Sequence, residues 1–153
     1  MINKSFTEIV IRPMEIDDLK KVLEIEKQSF PVPWTQDLFF SELTRNRYAR
    51  YFVLEKDNEV VGYLGLWHKG SNFHITNIAI TEKFRRKGYG EKFLKFIEKI
   101  AATHRIEKIS LEVRRSNYIA QDMYRKYGYK VTRVSRNYYQ KEKEDALVME
   151  KKL

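Results

Sequence analysis

Hydrophobic and polar residues alternate in some parts of this 153-residue chain and recur at helical spacing in others. Short runs rich in branched and aromatic residues predict strands. Seven such runs occur, at residues 8–12, 48–55, 60–67, 73–80, 108–113, 129–134 and 146–149. The polar residues 56–59 between the second and third runs predict a hairpin. The run at 73–80 should be the third strand of the same antiparallel set.

Four other segments have apolar residues three and four positions apart, which predicts helices. They run from Asp17 to about Phe30, from Thr35 to Leu43, from about Gly88 to Thr103 and from Asn117 to Gly128. The last has Ala120, Met123, Tyr124 and Tyr127 on its predicted apolar face, and Gly128 should end it in a left-handed conformation. The element order predicts an α/β fold with a mixed, largely antiparallel sheet of about seven strands and four helices. A chain of this length fits one domain, spanning residues 1–153.

The segment between the fourth predicted strand and the third predicted helix contains residues that could bind a ligand. Three consecutive cations, Arg85, Arg86 and Lys87, precede Gly88 and Gly90. Glycine permits close backbone approach to a ligand, and the first turn of a helix has unpaired N–H groups. Such a turn suits a phosphate group. A basic, solvent-exposed turn whose glycines serve only geometry is the alternative interpretation.

Two nucleotide motifs are excluded by the same residues. The dinucleotide fingerprint requires a third glycine where this chain has Phe93, and the P-loop requires Gly-Lys-Ser/Thr, which is absent from the sequence. The phosphate ligand is therefore of another kind.

Composition narrows the functional classes further. The net charge of +9 is spread among 21 acidic residues, which favours a basic surface over a nucleic-acid groove. There is no cysteine, so acyl transfer through a cysteine nucleophile is excluded, and three histidines without ligand spacing predict no metal site. Because no signal-peptide segment or apolar run of membrane-spanning length is present, we expect a cytoplasmic protein.

Two ionisable residues are candidates for proton transfer. Glu112 lies in an otherwise apolar strand, although an outward-facing strand residue would fit the same alternation. Tyr124 lies on the apolar face of the fourth predicted helix, where a core aromatic residue is the simpler interpretation.

Several motifs together resemble one family. Arg85-x-x-Gly88-x-Gly90 resembles the pyrophosphate loop of the GNAT superfamily of N-acetyltransferases. Residues 111–117 (LEVRRSN), followed by Ala120, Tyr124 and Gly128-Tyr129, resemble the signature of the RimI-type N-terminal (ribosomal-protein alanine) acetyltransferases. Residues 77–80, 136–139 and 144–149 are similar to other strands of this subfamily, so the resemblance covers most of residues 34–149.

The resemblance implies transfer of acetyl from acetyl-coenzyme A to the α-amino group of a protein N-terminus. Glu112 would be the general base and Tyr124 the general acid, with His74 as a second base candidate. The implied cofactor contacts are Ile78, Ala79, Ile80, Arg85, Arg86, Lys87, Gly88, Tyr89, Gly90, Glu91, Asn117 and Tyr124. The implied peptide contacts are Phe30, Pro31, Trp34, His74, Tyr138 and Tyr139.

Partners and alternatives follow from the same comparison. We expect a protein or peptide N-terminus as substrate, with a ribosomal protein as one candidate. We also expect no requirement for nucleic acid or a membrane, and a monomer or weak dimer. Gln140 replaces the proline that usually follows the tyrosine pair, which leaves substrate choice open. The same chemistry on a polyamine, antibiotic amine or lysine is one alternative, and a non-catalytic basic module that binds nucleic acid or the ribosome is another.

Overall fold

The structure is a computed structural model that describes residues 8–139 and 143–153. Within these residues, seven strands form one sheet in the order β1-β2-β3-β4-β5-β7-β6. The strands are β1 (Ile9–Pro13), β2 (Ala49–Lys56), β3 (Glu59–Lys69), β4 (Asn72–Ile80), β5 (Lys108–Arg114), β6 (Lys130–Tyr139) and β7 (Glu144–Lys152). The helices are α1 (Leu19–Ser29), α2 (Gln36–Thr44), α3 (Tyr89–Thr103) and α4 (Tyr118–Lys126).

Strand pairing confirms the predicted α/β class with a mixed sheet. β4 and β5 pair in parallel, whereas β1 with β2, β5 with β7 and β6 with β7 pair antiparallel. The two-residue turn between β2 and β3 confirms the predicted hairpin, because Asp57 and Asn58 have φ of 50° and 68°, as a type I′ turn requires. No helix in the described part of the chain is long and apolar enough to cross a membrane.

The described residues group into two compact units. The first comprises residues 8–65 and Asn77–Gly90, and the second comprises Leu66–Thr76 together with 91–139 and 143–153. β3 and β4 therefore contribute residues to both units.

The core of the first unit contains side chains from α1, α2, β2 and β3, among them Val22, Phe39 and Tyr63, all fully buried. Polar side chains bind backbone N–H groups just before α1 and at the start of α2. The Asp18 side chain accepts a hydrogen bond from the Glu15 backbone N–H at 2.7 Å, and the Thr35 hydroxyl accepts one from the Leu38 N–H at 3.2 Å. The first contact orders the turn that leads into α1, and the second caps the N-terminus of α2.

In the second unit, β5 alternates between two environments. Ile109, Leu111 and Val113 are buried, whereas Ser110, Glu112 and Arg114 lie on the half-exposed face. The alternation matches the period of two expected of a strand with one buried face. Glu112 thus occupies the outward-facing position that the sequence left open.

The buried face of helix α4 differs from the apolar face predicted for it. Asn117 caps the helix by accepting a hydrogen bond from the Ala120 N–H at 3.1 Å, and Gly128 has φ +93° just beyond the C-terminus, both as predicted. Its buried residues, however, are Gln121 and Tyr124, while the other three predicted positions are only half-buried. Gln121 is accommodated because its amide donates hydrogen bonds to the Arg114 and Arg115 carbonyls.

The sixth strand is longer than the predicted run at residues 129–134. Strand β6 continues past Ser135, paired with Ala146, to Tyr139, paired with Glu144. The strand contains an irregularity there: Asn137 has φ 50° and its N–H donates to the Asp145 carboxylate at 2.8 Å. The seventh strand likewise begins before the predicted run at 146–149, since Glu144 and Asp145 lie in β7. Residues 140–142, including Gln140, lie outside the described residues.

Candidate active site

The candidate carboxylate Glu112 binds His74 directly. The Glu112 Oε2 and His74 Nε2 atoms are 2.7 Å apart, and the two side chains are 20% and 30% exposed. The contact arises from the parallel pairing of β4 and β5, in which His74 lies opposite Ser110, two residues before Glu112 on the same face. Two residues that the sequence separates by 38 positions are thus partners, and both remain accessible to solvent.

Ser110 fixes the orientation of the His74 ring. Its hydroxyl oxygen lies 2.8 Å from His74 Nδ1. A carboxylate can only accept hydrogen bonds, so His74 Nε2 must carry the proton that it shares with Glu112. In the neutral imidazole, Nδ1 is then the acceptor of the Ser110 hydroxyl. Within the described residues, Glu112 Oε1 has no hydrogen-bond partner and remains able to accept a proton.

Two tyrosines at the end of β6 belong to the same surface of the second unit. The Tyr138 and Tyr139 rings pack edge to face with centroids 5.0 Å apart. Burial, and then the Glu112 charge, raise the pKa of Tyr138, while burial raises the pKa of Tyr139 to about 12. Both phenols therefore stay protonated and neutral at physiological pH beside the carboxylate.

Arg114 holds Tyr139 in position. Its guanidinium carbon lies 3.7 Å from the centre of the Tyr139 ring, and its Nη1 atom is 3.8 Å from the Glu144 carboxylate. A guanidinium stacked on an aromatic face is stabilised by the ring quadrupole. Arg114 was not identified from the sequence, although its position two residues after Glu112 on an alternating strand was the available signal.

The second proton-transfer candidate, Tyr124, is 8% exposed and lies in α4. Its ring centre is 5.8 Å from that of Tyr129. Burial, followed by the neighbouring Tyr139, raises the pKa of Tyr124. Its hydroxyl is therefore a proton donor at neutral pH.

In the first unit, the loop at residues 85–90 exposes backbone and cations. Arg86, Lys87 and Gly88 are all exposed, and Gly88 has φ +84°. Within the described residues, no atom lies within 4 Å of the position that a Cβ at Gly88 would occupy. The open space and the left-handed backbone both fit a phosphate group that approaches the main chain closely.

Other predicted cofactor residues make contacts within the protein. Arg85 donates to the Ile80 carbonyl at 2.9 Å and to the Ser29 hydroxyl at 3.1 Å, which fastens the loop to β4 and α1. Glu91 accepts hydrogen bonds from Lys126 and Tyr127, both at 2.9 Å. Arg85 therefore holds the loop in place in the first unit, and Glu91 connects the start of α3 to the end of α4 in the second.

The remaining cofactor candidates offer mainly backbone. Ile78 and Ile80 are half-buried, Ala79 is buried, and the Asn117 side chain is exposed apart from its capping bond. The Tyr89 side chain is buried with its ring 6.2 Å from that of Phe84. The Tyr89 ring therefore fills the interior at the start of α3.

The elbow, defined here as residues 30–34, connects α1 to the cap of α2. Its Phe30 and Trp34 rings pack against the core of the first unit, with Trp34 5.2 Å from Phe39, while Pro31 is exposed. The Trp34 backbone N–H donates to the buried Glu26 carboxylate at 2.8 Å. Glu26 was not identified from the sequence.

Comparison with known proteins places these residues in a family. Residues 19–129 match the model of the Acetyltransferase (GNAT) family. A Bacillus subtilis (strain 168) protein, provisionally named [ribosomal protein bS18]-alanine N-acetyltransferase, is 41% identical over 143 residues, covering 94% of this chain and 95% of the relative. An N-alpha-acetyltransferase of Sulfurisphaera tokodaii is 33% identical over 162 residues, covering 95% and 94%.

The fold has a solved counterpart. The crystal structure of the ribosomal-protein-S18-alanine N-acetyltransferase from Escherichia coli superposes with a TM-score of 0.87 at 24% identity, covering 95% of this chain and 94% of that chain. At this identity the likeness concerns the fold, and it confirms the predicted architecture.

Proposed function

Because the chain belongs to the acetyltransferase (GNAT) family, we propose that it transfers the acetyl group of acetyl-coenzyme A to the α-amino group of protein N-termini by direct attack. The names of the relatives from Bacillus subtilis and Sulfurisphaera tokodaii support a protein substrate. The observation that carries the proposal is the solvent-accessible Glu112 carboxylate, which is bound by His74 on one oxygen and, among the residues that the structure describes, has no hydrogen-bond partner on the other.

Glu112 is the proposed general base. An α-amine has a pKa near 7.7–8.0 against about 10.4 for lysine, so its deprotonation at neutral pH requires about 3 kcal/mol less free energy. A solvent-accessible carboxylate, acting directly or through one water molecule, is sufficient for the α-amine. This difference favours N-termini over lysine side chains as substrates.

His74 is proposed to orient Glu112 and not to act as the base itself. Both ring nitrogens are already used, Nε2 toward Glu112 and Nδ1 toward Ser110. To accept a proton from the substrate, the ring would have to release one of these contacts. His74 instead stabilises the carboxylate rotamer that leaves Oε1 open.

Tyr124 is the proposed general acid for the departing thiolate. Burial keeps the phenol protonated, and within the described residues its hydroxyl has no hydrogen-bond partner that would compete for the proton. A buried, neutral O–H group is suited to delivering a proton at the end of the reaction.

The residues of the first unit fit acetyl-coenzyme A, which supplies the acetyl group as a thioester. The Gly88 backbone and the Arg86 and Lys87 side chains would hold the pyrophosphate, while Arg85 braces the loop through Ile80 and Ser29. The backbone of residues 78–80 would hold the pantetheine arm, with Tyr89, Gly90, Glu91 and Asn117 as the remaining proposed cofactor contacts.

The peptide is proposed to contact Tyr138 and Tyr139 in the second unit and Phe30, Pro31 and Trp34 in the first. Tyr138 is 49% exposed and offers both a ring and a hydroxyl, which suits a peptide backbone. A ribosomal protein is the proposed physiological substrate, because the relatives from Bacillus subtilis and Haemophilus influenzae are named for bS18.

Mass spectrometry of short peptides after incubation with enzyme and acetyl-coenzyme A tests the proposal. The panel should vary the first two residues and include a lysine in every peptide, with a polyamine as a separate substrate. We expect one acetyl group at the N-terminal amine of a subset of peptides. Acetylation confined to lysine or to the polyamine would overturn the substrate assignment, and no acetylation despite acetyl-coenzyme A binding would overturn the enzyme assignment.

A further inference from the structure

A buried carboxylate in the first unit has no part in the chemistry described above. Glu26 in α1 is 2% exposed. Its Oε2 atom accepts a hydrogen bond from the Trp34 N–H at 2.8 Å, and its Oε1 atom accepts a hydrogen bond from the Tyr63 hydroxyl. The Asn77 side chain also acts on this carboxylate and lowers its pKa. Because burying an unpaired carboxylate is strongly unfavourable, these donors are what permit Glu26 to occupy the core.

Glu26 binds the elbow at both ends. Its backbone carbonyl accepts the Phe30 N–H at 3.1 Å, while its side chain accepts the Trp34 N–H. The elbow contains two prolines, which have no N–H, so only Phe30, Val32 and Trp34 can donate from the backbone. One residue therefore binds two of the three backbone donors in a segment that has no regular secondary structure.

The other partners of Glu26 connect the elbow to the sheet. Tyr63 lies in β3, and Asn77 lies in β4 directly before the residues proposed to hold the pantetheine arm. Burial raises the pKa of Glu26, and the contacts with Tyr63, Trp34 and Asn77 act in the opposite direction. Through its hydrogen bonds the carboxylate thus joins the elbow and α1 to β3.

We propose that Glu26 is a positioning residue for peptide binding, which holds the elbow in the conformation that receives the first residues of the substrate. This inference rests on the proposed N-terminal acetyl transfer. Glu26 is too buried to touch the peptide, so it acts only through the backbone of Phe30 and Trp34.

Two substitutions distinguish the length of the Glu26 side chain from its charge. Glu26→Gln preserves side-chain length: its amide oxygen can accept the Trp34 N–H and its NH2 can donate to the Tyr63 hydroxyl. Glu26→Asp preserves charge but is shorter by one methylene, so its carboxylate cannot reach both partners. If positioning is the role, the glutamine variant should behave nearly like the wild type and the aspartate variant should not.

The chain offers a matched control. Glu42 in α2 is also buried, at 9% exposure, and also binds a tyrosine and an asparagine, Tyr51 at 3.0 Å and Asn46 at 2.7 Å. Neither of these partners is an elbow residue. Glu42→Asp should therefore lower Tm while leaving the KM for peptide unchanged.

The test measures Tm, the Kd for acetyl-coenzyme A, and kcat and KM for an N-terminal peptide. We expect Glu26→Asp to raise the peptide KM at least tenfold, with the cofactor Kd within about twofold of the wild type, and Glu26→Gln to stay within about threefold. The proposal is overturned if Glu26→Asp alters Tm alone, if Glu26→Gln is as impaired as Glu26→Asp, or if Glu42→Asp raises the peptide KM equally.

Amide hydrogen exchange of residues 30–34 gives a readout that does not require activity. We expect the Trp34 amide to exchange at least tenfold faster in Glu26→Asp than in the wild type, and unchanged exchange would contradict the proposal. If the wild type acetylates no peptide, the proposed function fails, while exchange still decides whether Glu26 holds the elbow.

Discussion

The loop at residues 85–90 presents backbone and exposed cations, whereas the surface around Glu112 presents side chains that already bind one another. At Gly88 the main chain itself is open to a ligand. At Glu112 one carboxylate oxygen, an imidazole, a serine hydroxyl and a stacked arginine are held in fixed relation. Backbone donors and exposed cations suit the binding of a phosphate, while a constrained acid–base pair suits proton transfer.

This difference implies that substitutions in the two regions should change different kinetic parameters. An interaction made equally in the ground state and the transition state contributes to affinity, whereas one made only in the transition state contributes to kcat. We therefore expect the loop to determine the Kd for acetyl-coenzyme A and the Glu112 surface to determine the rate of transfer.

The largest effect is expected for Glu112→Gln. The amide has nearly the same shape but cannot accept the proton of the amine, so kcat should fall by about 10²–10⁴. Cofactor Kd and Tm measured on the same preparation should stay near wild type. A parallel loss of Tm and activity would instead indicate a structural role.

Tyr124→Phe should produce a loss of similar size for a different reason. Removing the hydroxyl removes the proposed proton donor while keeping the buried ring, so kcat should fall by about 10²–10⁴ with packing preserved. Tyr129→Phe is the control, since Tyr129 is an adjacent, fully buried tyrosine. Equal losses in the two variants would argue against a catalytic role for Tyr124.

Gly88→Val should raise the acetyl-coenzyme A Kd at least tenfold, about 1.4 kcal/mol, by filling the space that the pyrophosphate would use. Calorimetric titration measures the effect. Gly70→Val is the control for backbone strain, because Gly70 also has a positive φ and open space but lies in the β3–β4 turn. Normal binding by a folded Gly88→Val protein would mean that the loop is an ordinary turn.

His74→Phe should lower kcat by about tenfold, which corresponds to about 1.4 kcal/mol of activation free energy. The ring volume is kept, and only the hydrogen bonds to Glu112 and Ser110 are lost. The comparison with Glu112→Gln under identical conditions is decisive. A severe loss of kcat in His74→Phe, beside a Glu112→Gln enzyme with normal kcat, would move the base to His74.

The smallest catalytic effect is expected for Asp18→Asn, which lies in neither region. Asp18 binds Arg12 at 2.8 Å, and this hydrogen bond lowers the pKa of Asp18. Its contribution to stability is therefore present above the unfolded pKa of about 3.9 and is lost as pH falls through the lower folded value.

Asp18→Asn should accordingly reduce the free energy of unfolding at neutral pH by about 1–2 kcal/mol and flatten the acid limb of the stability profile. Chemical denaturation at several pH values measures both, with the exposed Asp17→Asn as control. A change in kcat or cofactor Kd in Asp18→Asn would contradict the claim that the loop determines cofactor affinity and the Glu112 surface determines the rate.

The sequence predicted local features of the fold well because their causes lie within a few residues. The starts of α2 at Thr35 and of α4 at Asn117, the Asp57–Asn58 turn and the left-handed Gly128 depend on neighbours in the chain. The proposed phosphate loop is local in the same way. Its glycines and cations stand together in the sequence, so the motif could be recognised without a structure.

The His74–Glu112 contact could not be predicted in this way. It depends on β4 pairing with β5 in parallel and in one register, and a shift of one residue would turn the two side chains to opposite faces. The sequence identified both residues separately as candidates for the base, but not that they bind each other.

Glu26 and the end of β6 were missed for different reasons. Glu26 follows Leu19 and Val22 at positions i+7 and i+4, so helical spacing placed it on the buried stripe, but a carboxylate is normally assigned to the surface. Residues 136–139 lack alternation because β6 is irregular and mostly exposed there, which resembles a loop at the level of sequence.

The dependence of kcat on pH, measured for Glu112→Gln and Tyr124→Phe beside the wild type with both substrates saturating, tests the account most directly. As pH rises through the α-amine pKa of about 7.7–8.0, the substrate loses its own proton, so Glu112→Gln should be partly rescued. Tyr124→Phe should not be rescued, since the missing proton is needed by the thiolate. A Glu112→Gln enzyme with wild-type kcat at neutral pH would contradict the assignment of Glu112 as the base.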